Sequence, residues 1–109
     1  MCSVVLSGEG LTLEDFERVA GGVPVAISEH VHERIEKSRA VVDELLAEGH
    51  TLYGINTGFG KLSNKRIPAD QVVALQRNLI LSHSAGVGKP LSRGAVRGIM
   101  VLRLTSLLR

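Results

Sequence analysis

Apolar positions along the 109-residue chain recur at spacings that separate helices from connections. Thr12 followed by Asp15 resembles a capping box with Asp in place of the usual Glu, opening a short helix predicted to run through about Ala20. Gly21-Gly22 stop it. Val23-Pro24-Val25-Ala26-Ile27 reads as an extended segment, which Pro24 restricts to a sheet edge or a connection outside any sheet. Ser28 is a good N-cap, and Glu29 falls in a first turn, where the helix dipole favours negative charge. Val31, Ile35, Val42, Leu45 and Leu46 then follow at helical spacing, interrupted at Ser38, with charged residues filling much of the remainder. Gly49 is a stop, so the spacing predicts a helix from about Glu29 to Glu48.

From His50 to Arg66 that periodicity vanishes, and Gly54, Gly58 and Gly60, with Asn56 and Ser63-Asn64, mark a loop. Pro68 opens the next predicted helix, whose stripe of Val72, Val73, Gln76, Leu79 and Ile80 leads to His83. Ala85-Gly86-Val87-Gly88-Lys89-Pro90 breaks the chain, and Ser92 caps a last helix. Val96, Ile99, Met100, Val101, Leu102, Leu104, Leu107 and Leu108 surround most of that helix, a distribution expected where a helix is buried in a larger assembly. No stop signal follows, so the chain is expected to end at Arg109 inside a helix. No internal repeat or low-complexity segment interrupts this plan.

Composition refines it. The hydrophobic fraction of 44% is ordinary for a globular protein and argues against a disordered tail. Phe16, Tyr53 and Phe59 are the only aromatics, so Leu and Val must fill the core, which suits helices packed on helices. The expected class is therefore mainly α, with one short extended segment. A formal net charge of +2 is less than nucleic-acid binders concentrate. The sole cysteine, Cys2, has no internal partner and points to a reducing compartment. No apolar stretch reaches the ~18 residues of a membrane span, and the opening residues lack the features of a secretory signal. A cytoplasmic location is expected.

Several chemistries fail on spacing. Five residues separate Gly54 from Gly60-Lys61, where a phosphate-binding P-loop has four, and Leu62 replaces the required Ser or Thr. Gly58-Phe59-Gly60 lacks the third glycine of a dinucleotide turn. His30 and His32 would point roughly 200° apart on a helix, so they share no metal-binding face. Lys61, Lys65 and Arg66 form a small basic cluster without the aromatic platform of a single-strand binder. Taken by itself, the glycine-rich stretch is simply a loop between helices.

Tyr53-Gly54-Ile55-Asn56-Thr57-Gly58-Phe59-Gly60 nevertheless resembles the signature tyrosine loop of the aromatic amino acid ammonia-lyases and aminomutases. Gln76-Arg77-Asn78-Leu79-Ile80-Leu81-Ser82-His83-Ser84-Ala85-Gly86-Val87-Gly88 is similar to the matching stretch of the histidine-specific members, and the likeness continues through Arg97–Arg103. The resemblance implies a lyase that eliminates ammonia from L-histidine to give urocanate, in a homotetramer of long helices. Its electrophile is a methylidene-imidazolone formed from an Ala-Ser-Gly run. Tyr53 matches the family's candidate base for the β-carbon proton. A free tyrosine has a pKa of ~10, so such a site must favour the phenolate. Ser82 and His83 match the pair that varies with the substrate side chain, and an imidazole can donate to or accept from another imidazole. Gly60 matches a loop glycine near bound substrate, and Asn56 and Thr57 are candidates to support the loop.

No Ala-Ser-Gly run occurs in the chain; Ser84-Ala85-Gly86 has the residues in another order. The expectation is therefore an N-terminal segment, residues 1–109, of a larger helix-bundle lyase, inactive by itself. A related lyase or aminomutase is the enzymatic alternative. A non-enzymatic helical assembly module, packing through the last helix, is the alternative from another class.

Overall fold

A computed structural model describes residues 2–109. It is mainly α, with four α-helices, two short strands and two 3-10 turns. The chain divides into two compact units, one built from residues up to Arg39 together with Lys89–Arg109, the other from Ala40–Gly88.

In the first unit, β1 (Val4–Leu6) pairs in parallel with β2 (Val25–Ile27), in the register Val4–Val25, Val5–Ala26 and Leu6–Ile27. The Val4 N–H donates to the Pro24 carbonyl at 2.9 Å and the Ser28 N–H to the Leu6 carbonyl at 3.0 Å, so the ladder continues past both ends. Pro24 thus sits at the entry to an edge strand, where its missing N–H costs no ladder bond. The patterning did not anticipate β1. Three consecutive apolar residues carry no readable period, yet Val4 and Leu6 are buried while Val5 faces out.

Between the strands lies α1 (Leu13–Ala20), capped by Thr12, whose Oγ1 accepts from the Asp15 N–H at 3.1 Å. Gly21 and Gly22 end it as expected, with Gly22 at φ 116°. Phe16 of α1 lies over Gly98 of α4 (Arg93–Leu107); a Cβ at Gly98 would stand 2.9 Å from the Phe16 Cζ. Ser92 caps α4 by accepting from the Ala95 N–H at 3.2 Å. Val4, Leu6, Val19, Val31, Val101 and Leu108 form the buried core, flanked by Phe16, Val25, Ile27 and Leu104.

Helix α4 reaches to within two residues of Arg109, and the Leu108 N–H still bonds to the Leu104 carbonyl at 3.1 Å. The helix stops at Leu107, and Leu108 turns its side chain into the core. The carbonyls released there find other neighbours: the Arg34 guanidinium donates to the Arg109 carbonyl, and Gly8, at φ 79°, lies close against the Leu108 carbonyl. The predicted all-round apolar character does hold. Val101 is buried, while Ile99, Met100, Leu102 and Leu107 are all more than half exposed.

Helix α2 (Glu29–Ala47) matches its predicted span to within one residue. Only Val31 of its stripe is buried; Ile35 is exposed and Val42, Leu45 and Leu46 are half-buried. It closes in a Schellman motif, with the His50 N–H bonded to the Leu45 carbonyl and the Gly49 N–H to that of Leu46, Gly49 at φ 84°.

In the second unit, Pro68 starts a 3-10 turn (Ala69–Gln71), and α3 runs from Val72 to His83. Its inner face corrects the predicted stripe. Val72, Leu75, Gln76 and Leu79 are half-buried, whereas Val73 and Ile80 are 79% and 67% exposed. Both sets have helical spacing in a segment apolar at nearly every position, so periodicity could not choose between them.

Candidate functional site

The site candidates lie in the second unit, on the loop between α2 and α3 and on the last two turns of α3. Asn56 and Thr57, 3% and 1% exposed, organise the loop from inside, as expected of loop supports. The Asn56 Oδ1 accepts from the Leu52 N–H at 2.7 Å, and its Nδ2 donates to the His50 carbonyl at 2.8 Å. The Thr57 Oγ1 accepts from the Gly54 N–H at 3.2 Å and donates to the Gly58 carbonyl at 2.9 Å. An antiparallel bridge between Thr57 and Arg66, with the Gly58 N–H bonded to the Lys65 carbonyl, folds the returning chain alongside. Lys65 and Arg66, read as part of a basic cluster, thus hold the loop through their backbones.

Gly54 takes φ 77°, a conformation side-chain-bearing residues rarely adopt, and so reverses the chain directly after Tyr53. Gly58 is constrained by space instead: a Cβ there would lie 2.6 Å from the Leu62 carbonyl oxygen. Tyr53 is 67% exposed, and its ring meets Phe59 edge-on at 6.1 Å with an interplanar angle of 68°. Gly60 begins a 3-10 turn (Gly60–Leu62) at φ 55°, with open space around the position of a Cβ.

A cavity of about 400 Å³ is lined by Phe59, Leu75, Asn78, Leu79, Ser82 and His83. Its α3 residues recur at helical spacing, so one face of the helix forms most of the wall. Ser82 and His83 are therefore brought together, with Phe59 opposite on the loop. Tyr53 adjoins the cavity through Phe59 without lining it, and Gly60 follows Phe59 in the chain.

The hydrogen bonds of this pair fix the ring of His83. Its Nδ1 lies 2.8 Å from the Leu79 carbonyl and 3.2 Å from the Ser82 Oγ. The Ser82 hydroxyl donates to the same carbonyl at 3.0 Å. A carbonyl only accepts, so Nδ1 carries the proton, and in the neutral ring Nε2 is the acceptor. Position 83 thus offers a lone pair to a ligand that can donate.

Sequence reading missed Phe59, Leu75 and Asn78 as cavity residues. The spacing of Leu75, Asn78 and Leu79 ahead of Ser82 was the available signal. Among the described residues, no group of three or more His, Cys, Asp or Glu side chains is placed to hold a metal ion. The Ala-Ser-Gly run from which the resemblance implies an electrophile would form is absent from the 109 residues, so these residues do not build that group.

Comparison with known proteins agrees with the fold. Histidine ammonia-lyase of Anaeromyxobacter dehalogenans is 48% identical over 104 residues, a stretch covering 94% of this chain and 20% of that protein. The ergothioneine-degrading enzyme ergothionase of Treponema denticola superposes with a TM-score of 0.90 at 36% identity, covering 98% of this chain and 22% of that one. Tyrosine aminomutase of Streptomyces globisporus gives a TM-score of 0.88 at 32% identity, covering 98% and 20% respectively. The chain spans about a fifth of the length of the curated relatives it matches. The model of the aromatic amino acid lyase family matches residues 11–109, and with the fold in agreement the chain belongs to that family.

Proposed function

We propose that these residues supply the base-bearing loop and the recognition wall of an ammonia-lyase that converts L-histidine to urocanate and ammonia. The observation that carries the reading is His83, whose Nδ1 lies 2.8 Å from the Leu79 carbonyl and 3.2 Å from the Ser82 Oγ, an arrangement that leaves Nε2 to accept from the N–H of a substrate imidazole. A site built around one such bond discriminates against side chains that cannot donate. Tyr53 Oη, as phenolate, would take the proton from the β-carbon. The carbon–nitrogen bond then breaks, the Cα–Cβ double bond forms, and the amino group departs as ammonia. Gly54 and Gly60 give the loop backbone the freedom to approach the substrate. The electrophile that assists this departure in the family would come from sequence outside these residues. The same reading carries a cytoplasmic homotetramer.

In a complete lyase bearing these residues, Tyr53→Phe is expected to lower turnover by roughly 10²–10⁴-fold while leaving the assembly unchanged. Formation of urocanate, followed by its ultraviolet absorbance, measures this; an unchanged rate rules out Tyr53 as the base. His83→Leu is expected to lower kcat/KM for histidine about tenfold or more. An unaltered specificity constant removes its recognition role. The 109 residues alone are expected to form no urocanate.

The likeness to tyrosine aminomutase favours one second reading, a mutase in which the amino group is returned to the β-carbon. Product analysis separates the two, since a β-amino acid replaces urocanate. A non-enzymatic assembly module, motivated by the exposed apolar residues of α4, is the reading from another class, and a reading frame that continues past Arg109 into an Ala-Ser-Gly run decides against it.

A further inference from the structure

Gln76 is the one polar residue in an inner face of α3 otherwise made of Val72, Leu75 and Leu79, and it is half-buried there. Its Nε2 donates to the Gly54 carbonyl at 2.7 Å and reaches the Ile55 carbonyl at 3.2 Å, the first two carbonyls after Tyr53. Gly54 is therefore held on both sides, its N–H by the Thr57 hydroxyl from within the loop and its carbonyl by Gln76 from the helix. The two grips differ in kind. Thr57 shapes the loop, whereas Gln76 ties it to the helix that ends in Ser82 and His83. Gln76 stands roughly two turns before His83, on nearly the same side of α3. One carboxamide thus links the backbone beside Tyr53 to the element that presents the recognition pair.

We propose that Gln76 is a positioning residue that sets where Tyr53 stands relative to Ser82 and His83, so that the phenolate oxygen meets the proton of a substrate oriented by His83. The inference rests on the reading of Tyr53 as base. Losing the donor leaves His83 on its own helix with its own bonds to Leu79 and Ser82, so recognition persists while the base drifts. A misplacement of about 1 Å at a reacting group can cost on the order of a hundredfold in rate. The loss belongs in kcat rather than KM.

Two variants of a complete lyase bearing these residues test it, Gln76→Met, which matches length without a donor, and Gln76→Glu, which turns an acceptor toward two carbonyls. Both are expected to lower kcat by roughly ten- to a hundredfold, Glu more than Met, with KM for histidine within about threefold of the parent. The primary deuterium isotope effect with β-deuterated histidine is expected to rise, because proton abstraction becomes slower relative to the other steps. Loss of folded protein alone lowers the apparent kcat and moves neither KM nor the isotope effect, and that outcome overturns the proposal. Combining either variant with Tyr53→Phe should add no further loss, since Gln76 acts through Tyr53; multiplicative losses overturn it as well. Tyr53→Phe as a single variant keeps the two readings apart. If it leaves turnover intact, the base assignment fails; if it abolishes turnover while both Gln76 variants behave as the parent, only the positioning role fails.

Discussion

Asn56 satisfies two backbone groups that the loop itself leaves open, and it does so with the two different ends of one carboxamide. Replacing it separates the roles. Asn56→Asp keeps an acceptor for the Leu52 N–H but sets a second oxygen against the His50 carbonyl, and Asn56→Ala leaves both groups unpaired. Each is expected to destabilise the protein by about 1–3 kcal/mol, read as a lower urea midpoint. At this scale the sequence was informative where one residue type dictates the geometry. Gly49 at its helix stop and Thr12 and Ser92 at their caps were legible in this way, while Asn56 and Thr57 were candidates through the motif resemblance. Gln76 was placed on the inner face of α3, but its partners were not readable, because Gly54 and Ile55 are brought to it only by the folded loop. The identity of Tyr53, Ser82 and His83 as candidates came from motif resemblance. Their geometry came from the structure.

Packing between elements turns on a single small residue. Phe16 of α1 rests on Gly98 in the middle of α4, a position where glycine weakens a helix by about 1 kcal/mol relative to alanine. The atom a new methyl would meet is the tip of a movable ring. Gly98→Ala is therefore expected to change stability by less than about 1 kcal/mol, the propensity gain offsetting the shift of Phe16. Gly98→Leu should cost about 1–3 kcal/mol, since the ring cannot give way that far. Thermal unfolding of the two variants checks the contrast. The existence of the four helices was legible, from caps and apolar spacing. The strand β1 and the inward side of α3 were not. A three-residue strand has too few positions to show a period, and a helix apolar on several sides leaves its orientation to whatever packs against it.

At the scale of the molecule, the exposed side chains of Ile99, Met100 and Leu107 line one apolar groove, the kind of surface to which a hydrophobic dye binds. The native 109-residue chain is expected to enhance the fluorescence of an anilinonaphthalene probe, and Ile99→Lys with Met100→Glu to reduce it at unchanged helicity. Equal fluorescence from parent and variant places the dye elsewhere. The division into two units was not legible at all. It depends on Val101 and Leu108 meeting Val4, Leu6 and Val31, pairings between residues far apart in sequence that no local pattern encodes.

That pairing governs the order in which the molecule can form. Residues 40–88 leave and return within a core whose halves come from opposite ends of the chain. Closing a loop of roughly 50 residues costs on the order of 3.5 kcal/mol of chain entropy before the contacts of α4 return anything. During synthesis, β1, α1 and β2 emerge early but wait, with Val4, Leu6 and Val19 uncovered, until the segment containing Val101 follows. The tyrosine loop and α3, whose hydrogen bonds are almost all local, can organise in that interval. The unit that carries the candidate residues Tyr53, Ser82 and His83 is thus synthesised in full before the segment that completes the unit enclosing it in sequence.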